Sequence, residues 1–284
     1  METVLKSEKQ EVKISIDSPF VIIGEKINPT GRKILAGKIK EGDYEYIRGL
    51  AIKQVEAGAD ILDVNVGVPG IDEVAVLPEV ARIVTESVDV PVCLDSANHA
   101  ALAAALAVLP GKPLVNSVNG EEKSLAAVLP VVKEYGAAVI GLTMDDNGIP
   151  NDAETRVAIA ARIIERAAKL GIGIEDIVID PLVLTVGADS NAGAVTLQTI
   201  QMLKQEFGVN INLGASNVSF GLPDRHIINQ AFLSLAIGMG ATCAITDPIK
   251  LTNTIRATDL LMGRDNHGMR YIGYWREHKP KEAA

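Results

Sequence analysis

Aromatic residues are scarce in this 284-residue sequence, at 4%, while hydrophobic residues make up 48%. The apolar mass is therefore Ala, Val, Ile and Leu, a mix suited to buried parallel strands covered by Ala-rich helices. Cysteine is nearly missing. Cys93 and Cys243 both fall in apolar strand-like runs, so no disulfide framework exists and a reducing cytoplasm is the expected location. Histidine is thin as well. His99, His226, His267 and His278 are scattered, none with a second His or Cys at ligand spacing, so no metal is expected, and a carboxylate-held Mg²⁺ would be weakly specified.

Long hydrophobic runs are absent. The longest Ala/Leu stretch, Ala100 to Leu109, falls well short of the roughly 20 residues that cross a bilayer. The opening METVLKSEKQEVK is charged and lacks an apolar signal core, so neither membrane insertion nor secretion is expected. Positive charge is in deficit, 27 Lys and Arg against 36 Asp and Glu for a net charge of −9. Such a surface repels phosphate backbones, which argues against nucleic acid as a partner.

Several catalytic signatures are missing too. The stretch GEKINPTGRK (24–33) does not have P-loop spacing, and Gly171-x-Gly173 lacks the third glycine of a dinucleotide fingerprint. No Gly-x-Ser-x-Gly elbow exists, and neither cysteine has an obvious partner base, which disfavours a covalent nucleophile. A Schiff-base lysine is expected at no strand end, Lys26 being the nearest.

What is present is a regular alternation of short apolar runs with longer amphipathic ones. The strand-like runs are FVIIGE (20–25), ILDVNV (61–66), VPVCLD (90–95), PLVNSV (113–118), AAVIGLT (137–143), IVIDP (177–181), NINLGAS (210–216) and CAITD (243–247). Each is followed by an interval that can hold a helix. Gly42-Asp43 is expected to open one helix, Asn119 or Ser124 another, and Asn151-Asp152 after Pro150 a third. The phrases EAGAD, EYGAA and GMGAT put Gly at a helix end just before a strand. Eight βα units predict a closed α/β barrel, a (β/α)₈ TIM barrel in a single domain, with an open doubly wound sheet as the alternative. The expected boundaries are an N-terminal extension over 1–19, the barrel over 20–264 and a C-terminal tail over 265–284.

Nearly every strand-like run ends in small polar or acidic residues: Glu25 and Asn28, Asp63 and Asn65, Asp95 and Asn98, Asn116 and Asn119, Thr143 and Asp145, Asp180, Asn217 and Asp247. In a parallel barrel these ends converge on one mouth, where active sites form. Capping explains Asn98, Asn119 and Asp145. The remaining ring describes a pocket rich in Asp and Asn. A carboxylate accepts two hydrogen bonds from adjacent N–H groups, and a carboxamide pairs with a carbonyl–N–H edge. The 2-amino-4-oxo edge of a pterin is one target for such a pocket; a guanine-like ring is another.

The segments GEKIN (24–28), LDVNVG (62–67), CLDSAN (93–98), NSVNGE (116–121), GLTMDDNGIP (141–150), IDPL (179–182) and SNVSFGLPDR (216–225) occur in this order at strand ends. Together they resemble the pterin-binding methyltransferase family. That family includes methyltetrahydrofolate:corrinoid protein methyltransferases, the folate module of cobalamin-dependent methionine synthase and, more distantly, dihydropteroate synthase. The likeness runs from about Phe20 to about Gly263. It implies a TIM barrel, a homodimer, no metal, and tetrahydrofolate or 5-methyltetrahydrofolate in the mouth. Asp95, Asn116 and Asp180 match the positions that hold the pterin ring, and Asn217 matches the asparagine near N5. Asn28, Asp63 and Asn65 match less diagnostic mouth positions, and Arg225 matches an arginine beside the pocket, a surface salt bridge being its alternative.

The resemblance implies methyl transfer between a corrinoid (cobalamin) and N5 of tetrahydrofolate. Asn217, Asp95 and Asp180 would be the catalytic residues, the first as hydrogen-bond partner of N5 and the others through orientation. SNVSFG carries no Lys where dihydropteroate synthase has a basic motif, which disfavours that activity. In Asp265-Asn-His267-Gly268 the glycine comes too early for a corrinoid-binding motif, so the corrinoid is expected on a separate binding protein. The expected direction forms 5-methyltetrahydrofolate, as in O-demethylation systems; the reverse, as in the acetyl-CoA pathway, is the alternative.

Overall fold

A computed structural model describes residues 1–279. Eight strands, β3 (Val21–Ile27), β4 (Ile61–Val64), β5 (Val92–Asp95), β6 (Leu114–Asn119), β7 (Ala138–Leu142), β8 (Ile177–Asp180), β9 (Asn210–Ile211) and β10 (Cys243–Thr246), form one sheet in the order β10-β3-β4-β5-β6-β7-β8-β9. Every neighbouring pair is parallel. The two ends meet. Thr242 N donates to Ile211 O at 3.0 Å and Ile245 N to Leu213 O at 2.8 Å, and Gly214 bridges Ile245 in parallel. Closure excludes the open doubly wound sheet.

Two apolar layers follow from the alternation of side chains along each strand. Ile22, Leu62, Val64, Leu94, Val115, Val139, Ile177, Ile179 and Ile211 face outward into the layer beneath the helices. Val21, Ile23, Ile61, Cys93, Leu114, Ala138, Ile140, Val178 and Cys243 fill the barrel interior. Moving two residues toward the mouth changes the chemistry. Ile23 gives way to Glu25, Ile61 to Asp63, Cys93 to Asp95, Leu114 to Asn116 and Val178 to Asp180.

The first residues do more than extend the chain. β1 (Glu2–Lys6) and β2 (Glu11–Ser15) pair as an antiparallel hairpin whose Leu5, Val12 and Ile14 pack against the interior layer at the strand starts. Asn210 Nδ2 donates to Thr3 Oγ1 at 2.9 Å and to Ile14 O at 2.8 Å, tying the hairpin to β9. The hairpin plugs the barrel floor, so the interior opens toward the mouth.

The helices are α1 (Lys33–Glu41), α2 (Glu45–Glu56), α3 (Glu73–Ser87), α4 (His99–Leu106), α5 (Glu122–Tyr135), α6 (Ala153–Lys169), α7 (Ala192–Glu206), α8 (Arg225–Met239), α9 (Pro248–Leu261) and α10 (Met269–His278). Asp152 caps α6 by accepting from Thr155 N at 2.7 Å. Gly58, Gly136 and Gly240 take φ of 98°, 62° and 124° at the three Gly-marked helix ends. Gly42 differs from expectation. With φ 68° it ends α1, and α2 begins at Glu45, because a left-handed residue terminates a helix rather than opening one. Asn98 caps α4, whereas Asp145 caps nothing and instead pairs with Arg162 at 2.7 Å. α10 covers part of the tail, with Tyr274 buried and His278 hydrogen-bonded to Glu56 O at 2.8 Å. Among the described residues no helix is long and apolar enough to cross a membrane.

Candidate functional site

A cavity of about 420 Å³ occupies the mouth, lined by Glu25, Asn28, Asp63, Asp95, Asn116, Asp180 and Asn217 with Thr30, Arg32, Leu142, Leu182, Val183, Gly214, Ser216 and Ile245. Six of the eight residues singled out from the sequence are on its wall. The other two support it. Asn65 Nδ2 donates to Asp95 Oδ2 at 3.0 Å, and Arg225 lines a neighbouring cleft.

Asp95 is oriented by two amides. Asn28 and Asn65 both donate to its Oδ2, at 3.4 and 3.0 Å. Their own amide oxygens are held by backbone, Thr30 N at 3.0 Å and Gly67 N at 2.8 Å. Neither is a helix cap; each turns its chain and aims an N–H at Asp95. Burial pushes the Asp95 carboxyl up, Glu73 adding to the effect and the Asn65 hydrogen bond opposing it.

Asp63 lies deeper, 1% exposed. Burial raises its pKa strongly and the neighbouring Asp95 charge adds to that, while Asn116 Nδ2, donating at 3.4 Å, opposes. Two adjacent carboxyls, one buried and one half-buried, resist simultaneous ionisation. With its N–H turned to Asp63, Asn116 keeps its carbonyl oxygen for a donor in the cavity.

Asp180 ends β8. Its Oδ1 accepts from Leu182 N at 2.8 Å and its Oδ2 from buried Asn212 at 2.7 Å. Burial lifts its pKa to about 6 despite these bonds and despite Arg156. Leu182, lining the cavity, takes a left-handed φ of 63°, a strained conformation for a branched side chain. Arg156, 1% exposed, holds this turn from beneath. Its Nη1 donates to Pro181 O at 2.8 Å and Leu182 O at 2.9 Å, and its Nε to Pro150 O at 2.9 Å.

Asn217 lies at the rim on a 3-10 turn, Ala215–Ser219, and is exposed. Arg225 clamps this turn on both sides, donating to Ser216 O at 2.6 Å and Ser219 Oγ at 3.0 Å. Gly214 lets the Asn217 amide lie close, since a Cβ there would stand 3.0 Å from its nitrogen. Arg225 therefore makes no surface salt bridge among the described residues.

Lys26 departs from expectation. It is the last residue but one of β3, so a lysine does reach the strand-end layer. Its ammonium pairs with Asp247 and lies 3.8 Å from Glu25. An ammonium held in an ion pair is a poor Schiff-base nucleophile. Cys93 and Cys243 are free and buried, and burial pushes both thiols up, which keeps them protonated and unreactive.

The site is thus a barrel mouth with two buried carboxyls, Asp63 and Asp180, two half-buried ones, Glu25 and Asp95, a free amide carbonyl and a rim carboxamide, with Arg32 the one cation on its wall among the described residues. Over residues 24–247 the sequence matches the pterin binding enzyme family. The chain belongs to the pterin-binding enzyme family. Within it, the chain is 33% identical to the methylcorrinoid:tetrahydrofolate methyltransferase of Eubacterium limosum, over 92% of this chain and 97% of that protein. It is 34% identical to the methionine synthase of Mycobacterium tuberculosis over 83% of this chain but 21% of that protein. Among solved structures, a Yersinia pestis dihydropteroate synthase with a pterine–sulfa conjugate superposes with a TM-score of 0.72 at 16% identity, covering 93% of this chain and all (100%) of that one. The Vibrio fischeri 7,8-dihydropteroate synthase gives 0.71 at 17% identity, over 93% of this chain and 100% of that one. These structural likenesses show the same barrel fold.

Three residues that shape this mouth, Asn212, Leu182 and Arg156, were absent from the sequence-derived set. Asn212 was recoverable, since it is in phase with Asn210 on an inward face. Glu25 was visible as a strand-end carboxylate; its Oε2 accepts from Ser216 Oγ at 2.8 Å. Leu182 and Arg156 gave no sequence signal, because one acts through a backbone angle and the other through carbonyls of two loops.

Proposed function

We propose that this chain transfers a methyl group between a corrinoid (cobalamin) carried by a separate protein and N5 of tetrahydrofolate, in the direction that forms 5-methyltetrahydrofolate. The observation that carries the reading is the mouth cavity: Asp95, Asn116 and Asp180 converge there as acceptors, in a member of the pterin-binding family. The name of the Eubacterium limosum relative supports both the reaction and its direction.

In this reading Asp95, Asn116 and Asp180 take the hydrogen-bonding edge of the pterin, each pre-oriented by neighbours. A site built to pair every polar edge rejects rings that leave its groups unpaired. Asp63 supports Asn116 from below. Asn217, at the rim, faces N5. Its carbonyl accepts the N5 proton's hydrogen bond while N5 attacks, and its amide N–H supports the nitrogen lone pair in the reverse direction. The proton leaves to water through the open rim. The methylated corrinoid would supply the methyl group and keep the electron pair of the broken bond as leaving group; this chain orients the acceptor at near-attack geometry. Such a barrel suits a demethylase system that passes methyl groups to folate. A homodimer belongs to the same proposal, and the exposed Leu261, Met262, Met269 and Trp275 offer an apolar surface for a second copy.

Calorimetry with tetrahydrofolate, followed by a single-turnover reaction with methylcobalamin or a methylated corrinoid protein, tests this. Saturable heat and formation of 5-methyltetrahydrofolate are expected. Absence of heat overturns pterin recognition, and heat without methyl transfer from either donor overturns the reaction.

A further inference from the structure

Beside the mouth lies a second cleft of about 230 Å³ that shares Glu25, Arg32 and Ser216 with it. Its charge is of the opposite kind. Lys26, Arg32, Arg225 and Lys250 line it against two carboxylates among the described residues, Glu25 and Asp247. Both carboxylates are engaged: Asp247 with Lys26 and with Ile249 N, Glu25 with Ser216 and Lys26. Among the described residues Arg32, Arg225 and Lys250 have no carboxylate partner. Arg32 donates to Lys26 O at 2.9 Å, and Arg225 to Ser216 O and Ser219 Oγ, so two guanidiniums are held in place by groups that do not neutralise them. Two helices, α8 and α9, also begin on this wall, adding the positive ends of their dipoles.

Three uncompensated cations in one cleft run against a chain of net charge −9 and against the acidic cavity next door. They mark a place for anions, at one side of a pocket that takes a neutral ring. We infer that this cleft receives the glutamyl carboxylates of the folate tail, so that the enzyme's substrate class is the poly-γ-glutamyl folates. The inference rests on the proposed function. The ring enters the acidic mouth while the tail, anionic at every glutamate, leaves past Arg32 into the basic cleft. A carboxylate there gains charge-assisted hydrogen bonds from guanidiniums already fixed in position, so little side-chain freedom is lost on binding.

The test compares three probes by calorimetry: 6-methyltetrahydropterin, which has no tail, tetrahydrofolate, with one glutamate, and its triglutamate. The wild type should bind the triglutamate about five-fold or more tighter than the monoglutamate, as one or two partly exposed ion pairs provide. That preference should shrink in 0.5 M salt, where the screening length falls to about 4 Å. Lys250→Ala should lower the preference, and Lys250→Glu should abolish it, while both bind 6-methyltetrahydropterin as the wild type does. Lys250 is exposed on the first turn of α9, so neither change threatens the fold. Equal affinity of the wild type for mono- and triglutamate, or a preference intact in Lys250→Glu, overturns the inference and leaves the pterin site standing. Failure of all three probes to bind the wild type overturns the proposed function itself.

Discussion

Arg156 offers the sharpest test of how the mouth is built. It is a cation 1% exposed, without a carboxylate within salt-bridge distance among the described residues, held by three carbonyls and, more loosely, Thr196 Oγ1 at 3.4 Å. Replacing it by Met preserves much of the volume and removes every donor. Leu182 O keeps Thr196 Oγ1 at 3.0 Å, but the buried Pro181 O and the half-buried Pro150 O lose their partner. Each orphaned acceptor costs about 1–3 kcal/mol, so Arg156→Met should destabilise by about 4 kcal/mol. For a domain of this size that lowers Tm by roughly 8 °C or more.

A second effect separates positioning from mere stability. Arg156 holds the turn whose Leu182 N donates to Asp180, and its charge works against the burial that lifts the Asp180 pKa to about 6. Without it the Asp180 pKa rises further. Asp180 must be ionised to accept two N–H groups, so folate affinity should fall as pH drops through about 6 in the wild type and at a higher pH in Arg156→Met. The measurements are Tm by calorimetry and folate Kd across pH 5–8, with Arg156→Lys, which keeps the charge, expected between the two. A Tm within about 2 °C of wild type, or a pH midpoint for binding that does not move, would refute the reasoning.

Asn217→Ala should lower kcat for methyl transfer far more than it weakens folate binding; equal losses in both, or none, would contradict its role at N5. Asp95→Ala and Asp180→Ala should mainly weaken binding, and a titration showing unchanged affinity would remove them from the pocket. Leu5 and Ile14 are both wholly buried in the hairpin plug. Leu5→Ala or Ile14→Ala should each cost about 2–5 kcal/mol by urea denaturation, and a value near zero would mean the hairpin is peripheral. Burial raises the pKa of Asp60, Asp63, Asp95, Asp180 and Asp259, the last two to about 6. The folded state therefore binds protons more tightly than the unfolded one between about pH 4 and 6, so Tm should rise as pH falls from 7 toward 5. A Tm falling throughout that range would refute the burial argument.

Much of the mouth was legible because parity along a strand is a hard constraint. Once Ile23, Ile61, Cys93, Leu114 and Val178 are taken as inward, Glu25, Asp63, Asp95, Asn116 and Asp180 must be inward as well, one layer nearer the mouth. Thr143 is out of phase, and it is wholly buried, donating to Asp180 O rather than facing the cavity. Asn28 escapes the rule, since the pairing of β3 with β4 slips between Gly24 and Ile27. A bulge of this kind leaves no periodic trace. The hairpin plug was hidden for another reason. ETVLK and EVKIS alternate clearly, but alternation says that one face is buried and not against what.

The same limit explains which parts of the site stay invisible in one dimension. Asp95 is aimed by Asn28 and Asn65 from two other strand ends, Asp180 by Asn212 and by a turn that Arg156 grips from a helix. Each pair is far apart in sequence and adjacent only because the barrel closes. Closure also makes the cost of error collective. Freeing Asp95 from its two amides would leave a buried carboxyl beside Asp63 with nothing to fix its direction, and two neighbouring carboxyls then compete for protons in place of presenting acceptors. The amides of Asn28 and Asn65 are therefore what turns a group of acids into a directional pocket. Asn65→Ala, which removes one of them without touching the cavity wall, isolates that contribution.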